Sequence, residues 1–269
     1  MARNWSSAAL FLLLASTMLV KSSNYVGPIM LLLASMLTWR VQSRERQPLP
    51  REFRWFLITL YLLAASWILD GLLSGHGPSS LDRPLKIFLL LPCATYLLWQ
   101  PPRAFWLWAS AALGAIACGL VGIYHVQILH YQRAGHTYIN PIEFGDTCTQ
   151  LALISLCWTQ TARQYPRRLP FFLLMIAGFT LGMTGSILSG TRGAWLAGLI
   201  ALAFLSWWYI GRYSKRLLAA LLLAMGMSVV LIAHYAPVGE RLQAMRREIT
   251  SYRQQGNAAT SVGARIQMW

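Results

Sequence analysis

The sequence predicts an all-α protein: a polytopic bundle of about nine transmembrane helices followed by an amphipathic segment on one side of the membrane. Three observations predict it. Of 269 residues, 56% are hydrophobic and 12% charged, whereas a soluble domain carries about twice that share of charge. The apolar residues fall in long unbroken blocks and neither alternate nor form isolated stripes, which is the pattern of membrane helices. Each block approaches the roughly 20 residues that an α-helix needs to cross a hydrocarbon core of about 30 Å.

The blocks run over 5–20, 25–39, 54–73, 84–100, 104–124, 143–161, 171–190, 193–210 and 216–235. In the first, Arg3 precedes the run Ala8–Val20, the order of charge and apolar segment in a signal peptide. No small-x-small cleavage site follows and more apolar blocks come next, so an uncleaved first helix is expected. Asn140-Pro141-Ile142-Glu143-Phe144-Gly145-Asp146 opens the sixth block, with proline where a helix start accepts it. The seventh and eighth blocks are separated by almost no loop. After Tyr235 the chain becomes polar and basic, which divides it into a helical bundle over 1–235 and a non-spanning segment over 236–269. In that segment Leu242, Met245, Ile249 and Tyr252 recur at helical spacing, with Arg241, Arg246, Arg247, Glu248 and Arg253 around them. This is the face of a helix lying on the membrane or capping the bundle. The last residues, from Val262 to Trp269, read as a helix start with Thr260 or Ser261 as N-cap, and without a stop signal. The sequence is therefore expected to be part of a longer chain.

A formal net charge of +15 raises the question of nucleic acid. The basic residues lie in short loops between apolar blocks, where they fix orientation, so a nucleic-acid partner is not expected. With the N-terminus in the cytoplasm, the inner segments hold Arg3, Arg40, Arg44, Arg46, Arg51, Arg54, Arg103, Arg163, Arg167, Arg168, Arg212, Lys215 and Arg216, more than half of the 23 basic residues. The outer loops hold Lys21, Arg83, Lys86, Arg133 and Arg192. Positive charge in short loops favours the cytoplasm, which places residues 236–269 outside. Six of the 8 acids (Asp70, Asp82, Glu143, Asp146, Glu240 and Glu248) also fall outside. The outer face thus carries mixed charge, including basic residues that orientation does not require.

Four features there could carry chemistry. In Ser189-Gly190-Thr191-Arg192-Gly193-Ala194-Trp195 an arginine is held at the outer membrane boundary among small residues that let helices approach. Its planar fork suits phosphate oxygens; it could equally cap carbonyls or reach lipid headgroups. Glu143 and Asp146, three apart, share a helix face and could bind an acceptor, act as a base or pair with arginines. Arg83 and Lys86 form a basic pair that could touch phosphate or remain solvated. Arg241 begins the amphipathic segment. The cysteines (Cys93, Cys118, Cys148, Cys157) fall mostly inside apolar blocks, without CxxC spacing, as free thiols would. His125, His130 and His136 share one loop at spacings that do not put them on one helical face, so no metal site is expected. There is no P-loop, dinucleotide fingerprint or Ser-His-Asp arrangement.

These stretches resemble the bacterial O-antigen ligase family, within the broader ligase/polymerase group. The run from Leu188 to Trp195 is similar to that family's Thr-Arg motif at the outer end of a helix. Glu240 to Tyr252 and Ser261 to Trp269 are similar to its large periplasmic loop, with Gly263-Ala264-Arg265 at the place of a Gly-x-Arg helix start. Asn140-Pro141-Ile142 also looks familial. The resemblance implies an inner-membrane glycosyltransferase that moves a glycan from undecaprenyl pyrophosphate to lipid A–core oligosaccharide at the periplasmic face. It implies Arg192 and Arg265 as catalytic groups stabilising the pyrophosphate leaving group, with no metal or other cofactor. Arg83, Lys86, Asn140, Glu143, Thr191 and Arg241 are candidate substrate-binding residues. The sequence departs from the family in one respect. The family's periplasmic histidine, a general base or acceptor-positioning group, lies further along than Arg265, and none of this chain's histidines, His234 included, occupies that position.

Two alternatives stay open. A polymerase or protein O-glycan ligase of the same group shares the topology and arginines. A transporter or flippase for an anionic lipid would also need arginines at membrane depth, though transporters usually place polar groups near the bilayer midplane.

Overall fold

Apolar blocks interrupted only by proline, glycine and short charged runs fold as helices joined by tight connections. The computed structural model describes residues 2–17, 25–44, 49–74, 81–135, 140–157 and 168–209, and single helical positions at 223, 226, 230, 247, 249 and 250. Within the described helices, the side chains of residues 2, 39–44, 82, 83, 168, 192, 206, 208 and 209 are outside that description. Among the described residues the regular structure is helical. In chain order the helices are α1 (Ala2–Ser16), α2 (Val26–Arg44), α3 (Arg51–Leu73), α4 (Asp82–Trp99), α5 (Ala104–Ile123), α6 (Pro141–Leu156), α7 (Arg168–Ser189) and α8 (Arg192–Tyr209).

Among the described residues three segments are long and apolar enough to cross a membrane: Arg51–Leu73, Ala104–Ile128 and Leu169–Ser189. Val26–Thr38, Pro84–Trp99 and Gly193–Leu205 are shorter apolar helices. The chain is thus a helical protein built to fit a membrane; of about nine expected spans, three segments among the described residues meet the full length criterion. α6 runs over Pro141–Leu156, and the rest of its expected block, from 158 to 161, lies outside the described residues. The expected block 216–235 lies outside the described residues apart from Leu223, Gly226 and Val230, and the amphipathic segment apart from Arg247, Ile249 and Thr250.

The core sits where α5, α6 and α7 cross. These helices approach closely because their facing residues are small. A side chain at Gly119 would collide with the Leu181 carbonyl, and one at Gly182 would press on Ala152 and Ala115. Two apolar clusters fill the crossing. One contains Ala111, Ala115, Cys118, Phe144, Cys148 and Leu151; the other contains Ala152, Leu156, Met175, Phe179, Met183 and Leu202. Helix packing in lipid gains little from exclusion of water, so this contact area is the main source of cohesion. All four cysteines are unbridged.

α1 docks beside this core. Trp5 Nε1 donates to the Met30 carbonyl of α2 at 3.2 Å, and the Arg103 N–H donates to Ser7 Oγ at 3.0 Å, ahead of α5. α4 packs on α2 and α3. α3 buries only Leu57, Ala64 and Gly71, one residue every seven. Its large apolar side chains elsewhere, such as Leu62, Leu69 and Leu73, are exposed, as suits a helix facing lipid.

α5 changes pitch at its end. Residues Tyr124–Ile128 form a π-helical turn, with the Leu129 N–H donating to the Tyr124 carbonyl at 3.1 Å. The wider turn and the left-handed His130 (φ 54°) bend the chain back across the bundle end toward α7.

Candidate functional site

Four buried hydroxyl residues, Thr149, Ser186, Ser189 and Thr191, gather at one corner, where the end of α7, the start of α8 and the start of α6 meet. α7 and α8 are joined by Gly190 and Thr191 alone. Gly190 has φ 69°, a left-handed conformation that glycine adopts without strain. Its N–H donates to the Ile187 carbonyl at 2.9 Å and so closes α7. Thr191 then precedes Arg192, the first residue of α8.

Ser189 and Thr191 hold this turn. The Thr191 N–H donates to Ser189 Oγ at 3.2 Å. Ser189 Oγ shares its proton between the Ser186 carbonyl at 2.6 Å and Thr191 Oγ1 at 2.9 Å. Thr191 Oγ1 donates in turn to the Pro141 carbonyl at 3.0 Å, tying the start of α8 to the start of α6. The Ser186 carbonyl also accepts from Trp195 Nε1 at 3.1 Å, which clasps the first turn of α8 against α7. Below it, Thr149 Oγ1 reaches Ser186 Oγ at 2.8 Å. Ser186, Ser189, Thr149 and Thr191 are all buried. Each bond inside apolar surroundings removes a desolvation cost of about 1–3 kcal/mol for the group concerned.

α6 starts with Asn140 as N-cap, its Oδ1 accepting from the Ile142 N–H at 3.0 Å, and Pro141 at N1. Gly145 lies against the turn so closely that a Cβ there would overlap Ser189 Oγ and Thr191 Oγ1. Two helix N-termini therefore converge at one place, each presenting the positive end of its peptide dipoles. Glu143 is exposed in the first turn of α6. Among the described residues, neither its carboxylate nor that of Asp146 has a partner.

A third strand of the corner comes from the chain after the π turn. The Ala134 N–H donates to the Leu188 carbonyl at 3.1 Å, and Arg133 Nε donates to the Ser189 carbonyl at 2.7 Å. The same loop is fixed from behind, where the Gly135 N–H donates to Nδ1 of the buried His125 at 3.2 Å. An Nδ1 that accepts makes the neutral ring the Nε2–H tautomer. The loop thus satisfies carbonyls that α7 leaves open at its C-terminal end.

The structure brings together three of the predicted site residues, Asn140, Glu143 and Thr191, and places the backbone of Arg192 beside them. Lys86 belongs elsewhere. It is exposed on α4, its Nζ 5.6 Å from the centre of the Tyr25 ring, in a cation–π contact between the starts of α4 and α2. Arg83 is in the first turn of the same helix, its side chain outside the described residues, as is that of Arg192. Arg241 and Arg265 lie entirely outside the described residues. Arg133, Gly145, Thr149, Ser186 and Ser189 were not among the predicted site residues. Arg133 had a signal, as a basic residue on a face where orientation needs none, and Ser189 opened the run that carries Arg192; Thr149 and Ser186 sit inside apolar blocks and had none. Among the described residues no group of His, Cys, Asp and Glu could hold a metal ion.

No protein-family model matches the sequence. The chain is similar to an uncharacterized protein of Haemophilus influenzae, with 22% identity over 258 residues. The match covers 94% of this chain and 63% of that protein, so the chain spans somewhat under two thirds of its relative's length.

Proposed function

We propose that this chain forms the membrane bundle of a lipid-linked-glycan transferase of the O-antigen ligase kind. In this reading it lies in the bacterial inner membrane with its N-terminus in the cytoplasm and the α6–α8 corner at the periplasmic face. The observation that carries the reading is the bond from Thr191 to the Pro141 carbonyl. It locks Arg192, at N1 of α8, beside a second helix N-terminus, α6, so that a guanidinium-bearing residue and two dipole ends serve one place. The excess of loop arginines on the opposite face supports the orientation.

The chemistry follows from where charge moves. An acceptor-sugar hydroxyl of lipid A–core attacks the anomeric carbon of the donor glycan. The bond from that carbon to the pyrophosphate oxygen breaks, and its electron pair leaves on undecaprenyl pyrophosphate. The hydroxyl proton passes to a base, and the anomeric centre inverts. Negative charge grows on the leaving oxygen, so cations and N–H groups fixed in advance lower the barrier. Arg192 supplies that charge at the corner, and Arg265 is assigned the same task by resemblance. Arginine suffices without a metal because its fork can meet two phosphate oxygens at once. The donor's polyprenyl tail lies in lipid along the apolar outer surface, and the acceptor approaches from the aqueous side.

The test uses the intact protein in lipid nanodiscs with undecaprenyl-pyrophosphate glycan and lipid A–core. Wild type is expected to produce glycan-bearing lipid A–core. Arg192→Lys keeps the charge and loses the fork, and is expected to lower the rate about a hundredfold, near 3 kcal/mol. Undiminished transfer would remove Arg192 from the mechanism. Label appearing on another glycan or on a pilin would point to the polymerase or protein-ligase relatives. Movement of lipid without transfer would favour a transporter.

A further inference from the structure

We propose that Arg133 is a second guanidinium of this site, anchored by one edge and offering its other N–H groups to the diphosphate of the lipid-borne donor. The inference rests on the transferase reading and adds to it a binding residue that the sequence motifs do not mark.

Three observations carry it. First, Arg133 is held. Its Nε–H is committed to the Ser189 carbonyl at 2.7 Å. The neighbouring Ala134 N–H bonds to Leu188, and the Gly135 N–H bonds to His125. Gly135, at φ 91°, is packed against Phe144, where a Cβ would lie 2.8 Å from the Phe144 Cβ. Second, the anchoring uses one of the five guanidinium N–H donors. The four on the terminal nitrogens have no acceptor among the described residues, and neither Glu143 nor Asp146 forms an ion pair with Arg133 there. Capping one carbonyl needs a single donor, so the rest of the fork is surplus to the structural task. Third, the surplus is in the right place. Ser189 is two residues from Thr191 and three from Arg192, so a guanidinium bonded to its carbonyl is within side-chain reach of the turn that carries Arg192. The residue is half-buried, which weakens screening of its charge by water. One edge of the guanidinium is held by the negative C-terminal end of α7, and its remaining donors lie by two helix N-termini and Arg192, a setting in which a diphosphate can meet several donors together.

The recognised chemistry is a phosphate ester or anhydride, which could come from the donor, from an ordinary anionic phospholipid or from free pyrophosphate. The experiment separates these. Binding of a prenyl diphosphate and of the prenyl alcohol of equal length is measured on the intact protein in zwitterionic nanodiscs. A second set of discs contains phosphatidylglycerol, and a third arm adds inorganic pyrophosphate as competitor. The variants are Arg133→Gln, whose amide retains a donor for the Ser189 carbonyl, and Arg133→Lys. Wild type is expected to prefer the diphosphate to the alcohol. Arg133→Gln is expected to lose about tenfold in diphosphate affinity, with alcohol binding and thermal midpoint unchanged and with a shallower salt dependence. Arg133→Lys is expected to recover part of the loss. Competition by inorganic pyrophosphate that disappears in Arg133→Gln would support recognition through the headgroup. Unchanged diphosphate binding in Arg133→Gln would overturn the proposal while leaving the transferase reading intact. Equal loss of diphosphate and alcohol would also overturn it, by reducing Arg133 to a latch of the fold. An equal Arg133-dependent response to phosphatidylglycerol would overturn it by assigning the residue to bulk lipid. A wild type indifferent to the diphosphate would sink the transferase reading itself.

Discussion

Gly145 decides the spacing of the corner. Its missing side chain is the room that Ser189 and Thr191 occupy, since a Cβ would overlap both hydroxyl oxygens. Gly145→Ala therefore has to push α6 away from the α7–α8 turn or break the bond from Thr191 to Pro141. The expected cost is about 2 kcal/mol of stability, together with at least about a tenfold loss of transfer, because a misplacement of 1 Å can cost more than that in rate. Thermal unfolding and the glycan-transfer assay on the same preparation check both parts. At this scale the sequence was legible where a residue type is rare. An arginine between two apolar blocks stands out, and so does Asn-Pro at a helix start. Ser186 does not stand out. Its carbonyl receives both Ser189 Oγ and Trp195 Nε1, but a serine among Gly, Ile and Leu reads as one more small helix residue until the neighbouring helix is known.

The element boundaries were legible because breakers and charges mark them. Pro141 starts α6, Gly190 ends α7, and Arg51 and Ala104 open helices close to where the apolar pattern put them. The pitch change at Tyr124 was not, since His-Val-Gln-Ile continues the α5 pattern without a glycine or proline to flag it. Nor was helix pairing. It depends on which faces carry glycine and alanine, and an all-round apolar helix hides its buried side. The crossing of α5 on α7 now identifies that side. Gly119→Leu is expected to prevent the close approach to Leu181 and to separate the two helices, at a cost above the usual 1–3 kcal/mol for overpacking because the obstacle is backbone. Protease cleavage in the loop 129–135 should then rise, since that loop is pinned to the end of α7. A control at Gly193, where a Cβ meets nothing within 4 Å, should behave like wild type.

For the molecule as a whole, the membrane class followed from composition alone, whereas of the corner local motifs marked only the helix starts at Asn140-Pro141 and Thr191-Arg192. The number of crossings did not follow so simply. Apolar block length suggested about nine; among the described residues three segments reach full spanning length and others are shorter, while nearly all of the ninth block and the ends of several others lie outside the described residues. The three-helix crossing of α5, α6 and α7 is joined by α1 and α8, while α4 leans on α2 and α3. Among the described residues α3 packs through a narrow seam, with Leu57, Ala64 and Gly71 buried and the Tyr61 ring against Phe88 of α4. That seam has a mechanical consequence. Drawn out of a bilayer from its end by a cantilever, the chain should surrender α3 at lower force than α5 or α7. Force traces in which α3 resisted as strongly as they do would mean that something else grips it. A helix so lightly fastened is also the one whose outward positions can drift most freely among apolar residues, so a saturation library should show intolerance along α3 at the seam sites, Tyr61 included, and indifference on the outward face.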